Sequence, residues 1–464
     1  MKTISRYFIQ AGILSILSLF MTQSCKVGPD YAAPSLYSPD SYRSDLPSGT
    51  SIANVAWWEL FGDTVLQRLI QTALENNNNL QASIARIQEA EAAVGIVKAD
   101  LYPRIDYGVD GVAVGLTQEG ESYASLTPAV NISYEVDLWG RIRRMNESAL
   151  QQYLATEEAY RSITIGLVAS VANGYLLLRD IDNRLLIAEN TADIWQSNLE
   201  IVQARHNAGI VSEVDVNQAE IQLDEALASI EANERLRSQT ENGISILLGL
   251  PPQDIPRGLE LSEQIFAPEL PVGLPSDILS QRPDIMKAEN ELHAQSERIG
   301  AAEALKYPQL ILSANLGAQI ANPTAGFASL GAQLLGPLFN SKANKRRVEV
   351  EIARTEQLLN NYEQTFIVAL KEVEDAIVAV EKYQREYEIR AHQVESAQNA
   401  VELSWVRYES GITNYLEILD LQRSEFSSQL KASQALQLQL TSTVDLYKAL
   451  GGGWVPGQDT IYVR

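Results

Sequence analysis

Two proline-free blocks set the terms for this chain. No proline lies between Pro128 and Pro251 or between Pro337 and Pro456, although the chain holds 17 of them. Proline breaks helix interiors, so each block is free to be helical almost throughout. The blocks also match each other. Arg205-x-x-x-Gly209-Ile210 recurs as Arg407-x-x-x-Gly411-Ile412, with glycine where a helix is expected to stop. Ser212 with Asp215, and Asn414 with Glu417, are spaced as the cap and N3 partners that restart a helix. The second helices end alike, at Leu247-Leu248-Gly249 and Ala449-Leu450-Gly451. Upstream, Leu101-Tyr102-Pro103 matches Lys306-Tyr307-Pro308, and Gly95 matches Gly300. Each half is therefore expected to run helix, strand, loop, strand, long helix, turn, helix.

The strands show in the alternation. Val130, Ile132, Tyr134 and Val136 alternate with Asn131, Ser133, Glu135 and Asp137, which gives a strand one oily and one wet face. Leu138-Trp139-Gly140 follows, and the period turns helical. A degraded echo places Leu330, Ala332 and Leu334 among Ser329, Gly331 and Gln333, ahead of Pro337-Leu338-Phe339-Asn340. Ile105, Tyr107 and Val109, and then Leu310, Leu312, Ala314 and Leu316, mark the partner strands. Strands are expected at 104–114, 129–137, 309–320 and 329–335. In the second long helix, apolar positions step by four and three from Val348 through Tyr362, Phe366, Val373 and Tyr383 to Tyr408. A sustained period of 3.5 implies left-handed supercoiling against a neighbour. A helix over 341–407 would be about 100 Å long at about 1.5 Å per residue.

The first residues read as a secretory signal over 1–24, with Lys2 and Arg6 ahead of an apolar run. It ends at Cys25, the only cysteine, which suits the lipid acceptor of a bacterial lipoprotein; the alternative is a stray buried thiol. No later segment reads as a membrane helix. An extended, proline-rich tether is expected over 25–56. Then come a first repeat over 57–250, opening with a helix at Trp57-Trp58 and holding a helical hairpin at 141–248, and a proline-rich linker over 251–283. A second repeat over 284–455 holds a hairpin at 341–450, and a tail covers 456–464. The formal charge is −23, and without Lys2 and Arg6 it is −25, which speaks against nucleic acid as a partner.

No enzyme site, metal site or cofactor motif is expected. His206, His293 and His392 are scattered without ligand spacing, and Gly451-Gly452-Gly453 reads as a helix stop. Glu374-Asp375 reads as a solvated helix face. Four strands are too few to close a barrel, and open edges in lipid leave backbone groups unsatisfied. Either the sheet is a small soluble one, or several chains pool strands. Three chains would supply twelve, enough for an aqueous lumen.

The chain resembles the TolC-like outer-membrane factors, in the OprM/NodT-type efflux lipoprotein branch. The resemblance rests on Cys25-x-x-Gly28-Pro29-x-Tyr31, Trp57-Trp58-x-x-Phe61-x-Asp63 and Tyr134-Glu135-x-Asp137-Leu138-Trp139-Gly140-Arg141. Arg282-Pro283-Asp284-Ile285, Gly411-x-x-x-Tyr415-Leu416-x-x-Leu419-Asp420-x-Gln422-Arg423 and Leu450-Gly451-Gly452-Gly453-Trp454 extend it over nearly the whole mature chain. It implies an internally duplicated α+β membrane protein. Very long supercoiled helices would form a periplasmic tunnel, and four β-strands per chain would join a trimeric twelve-stranded β-barrel. The implied role is the passive exit duct of a tripartite efflux pump in the outer membrane of a Gram-negative bacterium. The implied partners are a homotrimer of this chain, a periplasmic adaptor (membrane fusion) protein, an inner-membrane RND-type transporter and outer-membrane lipid, with a covalent lipid on Cys25. Competing readings are a duct for secreted proteins and a coiled coil without a pore.

Two functional regions are expected on the helices. The adaptor would dock at the tips, around Gly209, Ile210, Gly411 and Ile412. A periplasmic gate would sit on Leu416, Asp420 and Arg423, which share a helix face by their spacing. Tyr408 is a further candidate, as an interhelical latch. Three copies would set Leu416 as an apolar constriction and Asp420 as an acidic ring. The resemblance implies the same roles. The alternative is that Leu416 packs between helices and Asp420 only pairs with Arg423.

Overall fold

The computed structural model describes residues 26–43, 61–114, 123–264, 275, 277–321 and 323–452. Cys25, Trp57, Trp58, Trp454, the signal and the tail lie outside these. The elements run α1 (Thr64–Asn76), α2 (Asn78–Ala99), β1 (Arg104–Val114), β2 (Tyr123–Val136), α3 (Arg141–Asn207) and α4 (Glu213–Leu247). They continue with α5 (Ile278–Gln281), α6 (Pro283–Ala304), β3 (Gln309–Gln319), β4 (Ala325–Leu335), α7 (Ala343–Glu409) and α8 (Tyr415–Ala449). The duplication holds to the residue in the helices. α3 and α7 each have 67 residues, α4 and α8 each 35, and α2 and α6 each 22.

Two strand starts differ from expectation. β2 begins at Tyr123 rather than 129, and β4 at Ala325 rather than 329. These added residues lack alternation and include Pro128 and Gly326, but they lie opposite the far ends of β1 and β3, where ladder pairing satisfies the backbone. The helix opening expected at Trp57-Trp58 lies outside the described residues; α1 begins at Thr64, where the carboxylate of Asp63 caps it by accepting from the backbone N–H of Val65 and Leu66. A further correction concerns hydropathy. One window of α3 reaches a mean hydropathy of 1.3, enough by composition for a membrane helix. Half of it is buried inside the chain, and it is part of a 67-residue helix, so packing accounts for it.

The described chain divides into two compact units, and each draws on both repeats. One comprises Ala85–Glu158 and Met286–Thr365 with the N-terminal segment to Leu36; the other comprises Tyr37–Ile84, Ala159–Ile285 and the chain from Phe366 on.

The first unit holds one antiparallel sheet in the order β1-β2-β3-β4. Val130 lies opposite Tyr107 on one side and Leu316 on the other, and Ala314 lies opposite Leu330. One face is therefore Ile105, Tyr107, Val109, Val130, Ile132, Leu312, Leu316, Leu330 and Leu334, all exposed. On the other face Asp106 meets Asn131, Asn131 meets Asn315, and Asn315 meets Ser329.

The second unit is helical. Ala188, Ala192, Trp195 and Leu199 of α3 pack with Ala219, Leu223 and Ala226 of α4 and Phe426 of α8. Small residues let the helices approach, and Trp195 meets Phe426 edge-on at 5.4 Å between centroids. On α7, Val373 and Ile377 are buried, whereas Val380, Tyr387, Val394 and Val401 are half-buried. Such a narrow stripe suits contact with one neighbour rather than a surrounding core. Asp63 ties the helices to the linker. It accepts from the Tyr175 hydroxyl (2.8 Å), the Leu259 N–H (2.9 Å) and the Gln264 amide (2.9 Å). Burial would raise its pKa, but these bonds and those from α1 outweigh it, so the carboxyl sits below its usual range.

Candidate functional site

Three places hold the residues that the sequence singles out. The first is the N-terminal segment that follows Cys25. Val27 donates its N–H to the Trp139 carbonyl at 3.1 Å. Arg144, buried at the start of α3, donates to both carboxylate oxygens of buried Glu297, and to Asp30 and the carbonyls of Val27 and Gly28. Gly28 has φ +87, and a Cβ there would lie 2.6 Å from the Gly300 Cα. Tyr31 stacks on His293 at 4.1 Å between centroids, which gives that histidine a packing role. Residues 26–31 are thus clamped onto the first unit, directly beyond the candidate lipid site.

The second place is the sheet, with its oily face, its wet face and two outer edges. Among the described residues, β1 and β4 each lack a neighbour on one side.

The third is the pair of helix tips. Gly209 (φ +73) and Gly411 (φ +71) end α3 and α7 in the left-handed conformation, and a Cβ at either would touch nothing. Backbone geometry alone calls for glycine there. Ile210 N–H returns to the Arg205 carbonyl and Ile412 N–H to the Arg407 carbonyl, each at 2.9 Å, so the two turns share one Schellman pattern. Ile210 and Ile412 project into solvent, 70% and 69% exposed. The restarts differ. Asp215 accepts from the Ser212 N–H and hydroxyl. Asn414 accepts from the Glu417 N–H, while the Glu417 carboxylate turns to Thr413 and Arg407.

Behind the turns, Val202, Tyr415, Ile418 and Leu419 form a core, with Val211, Val216, Trp405 and Tyr408 against it. Arg205 donates to the Tyr408 hydroxyl and lies 5.1 Å from the centre of that ring. Burial, with Tyr408 beside it, pushes the Tyr415 phenol up to about 12. On the opposite side of α8, Asp420 and Arg423 form an exposed ion pair at 2.8 Å. Leu416 shares that side and is 43% exposed. So Asp420 and Arg423 are brought together, with Leu416 on the same exposed side of α8. Tyr408 lies on the buried side, bonded to a neighbouring helix. Arg205 and Arg144 were not singled out by sequence reasoning as functional. Arg205 was visible only as part of the repeated turn, and no local signal pairs Arg144 with Glu297.

Among the described residues, no group of His, Cys, Asp and Glu is arranged to hold a metal ion.

A family profile described as outer membrane efflux protein matches residues 69–250 and 274–452. The antibiotic efflux pump outer membrane protein ArpC of Pseudomonas putida is 34% identical over 466 residues, covering 95% of this chain and 96% of that protein. The cation efflux system protein CusC of Escherichia coli is 30% identical over 442 residues, covering 93% and 96%. The crystal structure of the open state of the Neisseria gonorrhoeae MtrE outer membrane channel superposes with a TM-score of 0.86 at 28% identity, covering 92% of this chain and 98% of that one.

Proposed function

The chain belongs to the outer membrane efflux protein family, and from that premise we propose that three copies form the passive exit duct of a tripartite efflux pump. The single observation that carries this reading is the sheet. Its oily face is exposed and, among the described residues, its two edges are unpaired, so alone it could satisfy neither water nor lipid. Closed with two further copies, it would make a twelve-stranded barrel. The oily face would meet lipid, and Asp106, Asn131, Asn315 and Ser329 would line water. The long helices would continue the passage through the periplasm. Cargo would be passed on by an inner-membrane transporter of the RND type through a periplasmic adaptor. Relatives of nearly equal identity are named for antibiotics and for cations, so cargo choice falls to those partners.

Ile210 and Ile412 are the docking points for the adaptor, as exposed apolar tips on rigid turns. A photo-crosslinker at either position should capture the adaptor; capture solely from the 251–283 linker would refute tip docking. Cys25 carries the lipid, and the clamp on residues 26–31 holds that anchor beside the first unit. Mass spectrometry of the mature protein finding a free Cys25 thiol would end this assignment. The gate is the exposed side of α8. Leu416 supplies an apolar ring and Asp420 an acidic one, with Arg423 holding Asp420 in place. Tyr408, bonded to Arg205, latches the helices behind it.

Single-channel recording of the purified protein tests the whole. It should conduct, with a preference for cations. Leu416→Ala with Asp420→Ala should raise conductance or open probability and weaken that preference. A protein that forms no conducting trimer refutes the duct. An unchanged double variant refutes only the gate.

A further inference from the structure

Trp139 follows β2 and makes a contact that extends the strand pairing beyond its end. Its ring stacks on Tyr307, with centroids 4.7 Å apart and 26° between planes. Its Nε1–H donates to the Pro308 carbonyl at 2.8 Å. Tyr307-Pro308 lies just ahead of β3. The β2–β3 ladder ends with Val136 opposite Leu310, and the same register continued three residues further sets Trp139 opposite Tyr307. An aromatic clasp thus closes the foot of the β2–β3 seam.

The internal repeat supplies both halves of a second clasp and leaves them apart. Tyr102-Pro103 stands ahead of β1 as Tyr307-Pro308 stands ahead of β3. Pro337-Leu338-Phe339 follows β4 as Asp137-Leu138-Trp139 follows β2. The chain then absorbs two extra residues, Asn340 and Ser341, before Lys342 (φ 68) takes the left-handed position that Gly140 (φ 78) holds in the first repeat. β1 and β4, however, are the two outer strands of the sheet. Among the described residues, their clasp residues are not paired with each other and stay largely exposed. Tyr102 is 64% exposed, Phe339 89% and Leu338 104%.

We propose that Phe339 of one copy stacks on Tyr102 of the next, closing the β4–β1 seam between copies as Trp139 and Tyr307 close the β2–β3 seam within one. The proposal rests on the reading that copies share a barrel, and adds what sets their register. Carried over from β2–β3, the register places Leu334 opposite Tyr107, Ala332 opposite Val109 and Gly331 opposite Asp110. Oily residues then meet oily ones across the seam. A slip of one residue would put every side chain on the wrong face. A slip of two would keep the faces matched, so alternation alone cannot forbid it. The aromatic pair discriminates between these registers, because only one sets the two rings opposite each other. A stacked pair is favourable beyond the area it buries.

The occupant is a second copy of this chain rather than lipid, because the repeated half of the same motif already shows its partner. Cysteine pairs in the full-length protein in detergent test this. Tyr102→Cys with Phe339→Cys, once oxidised, should give chains linked into covalent trimers on a non-reducing gel. Each single variant should give none, which controls for Cys25. Linking by Tyr102→Cys with Ser341→Cys instead would show a two-residue slip and overturn the pairing. If light scattering finds a trimer and neither pair links, the two rings do not meet and the proposal fails, while the duct stands. A monomer would remove the duct and the seam together. A second readout is thermal. Phe339→Ala and Tyr102→Ala should each lower the temperature at which the trimer dissociates in SDS, the double variant should be no worse than the worse single, and Phe339→Trp should restore it. Fully additive losses would show that the two rings do not touch, and would overturn the pairing.

Discussion

Val130→Arg and Asn131→Arg place the same cation one residue apart and should have opposite consequences. Val130 lies near the middle of β2, with Tyr107 opposite on one side and Leu316 on the other. The 11 residues of β1 reach about 37 Å at about 3.4 Å each, and a tilt of about 45° brings that to about 26 Å, the height of a hydrocarbon core. Position 130 is therefore close to the midplane, where an arginine facing lipid costs about 2–4 kcal/mol. Three copies in one barrel make that about 6–12 kcal/mol per assembly. Asn131 faces the other way, between Asp106 and Asn315. An arginine there stays in water beside a carboxylate, a change of about 0–1 kcal/mol. Urea titration of the protein folded into lipid vesicles, followed by tryptophan fluorescence, would read both. Val130→Arg should lose the trimer or most of its stability. Asn131→Arg should assemble, with a reduced preference for cations. Equal tolerance of the two, or a larger loss from Asn131→Arg, would mean that the faces are assigned the wrong way round.

Two further outcomes follow from the buried charges. Asp63→Asn should cost about 2–3 kcal/mol at pH 7, since it weakens a carboxylate that caps α1 and accepts from Tyr175, Leu259 and Gln264. The folded pKa lies below the unfolded one, so the wild-type advantage is fully present above about pH 4 and is lost as pH falls through the folded value; an advantage unchanged down to pH 2 in urea melts would contradict the assignment. Arg144→Ala strands Glu297 without its partner, which should cost about 3–5 kcal/mol and expose residues 26–31 to protease. Arg144→Met with Glu297→Leu should recover much of the stability but leave the N-terminal segment loose, and a segment that stays protected would show that Arg144 does not hold it.

The long helices were legible because they depend on local signals: the missing prolines, the 3.5-residue stripe and the glycine stops at 209 and 411. The oily and wet faces of β2 were legible for the same reason. The early starts of β2 and β4 were not, because residues 123–128 and 325–328 are held as strand by the partner opposite rather than by their own preference. Arg144 with Glu297, and Arg205 with Tyr408, join positions far apart in sequence, and nothing local announces them. The spacing of Asp420 and Arg423 gave their pairing. It could not give the exposure of Leu416, because Leu416, Ile418, Leu419 and Leu421 look alike in a nearly continuous apolar run, and only the packing of α8 decides which of them turns inward. The same ambiguity attaches to Ile210, Ile412, Leu330 and Phe339. A residue that packs within its own chain and a residue that waits for another chain obey the same hydrophobic rule, and the sequence writes them in the same letters. The folded chain separates them, because the second kind is still exposed when everything local is satisfied. In this protein those leftovers fall at the helix tips, along one face and two edges of the sheet, and at the foot of the open seam. On the reading proposed above, those are the places where a duct assembled from copies, lipid and partners is completed from outside the chain.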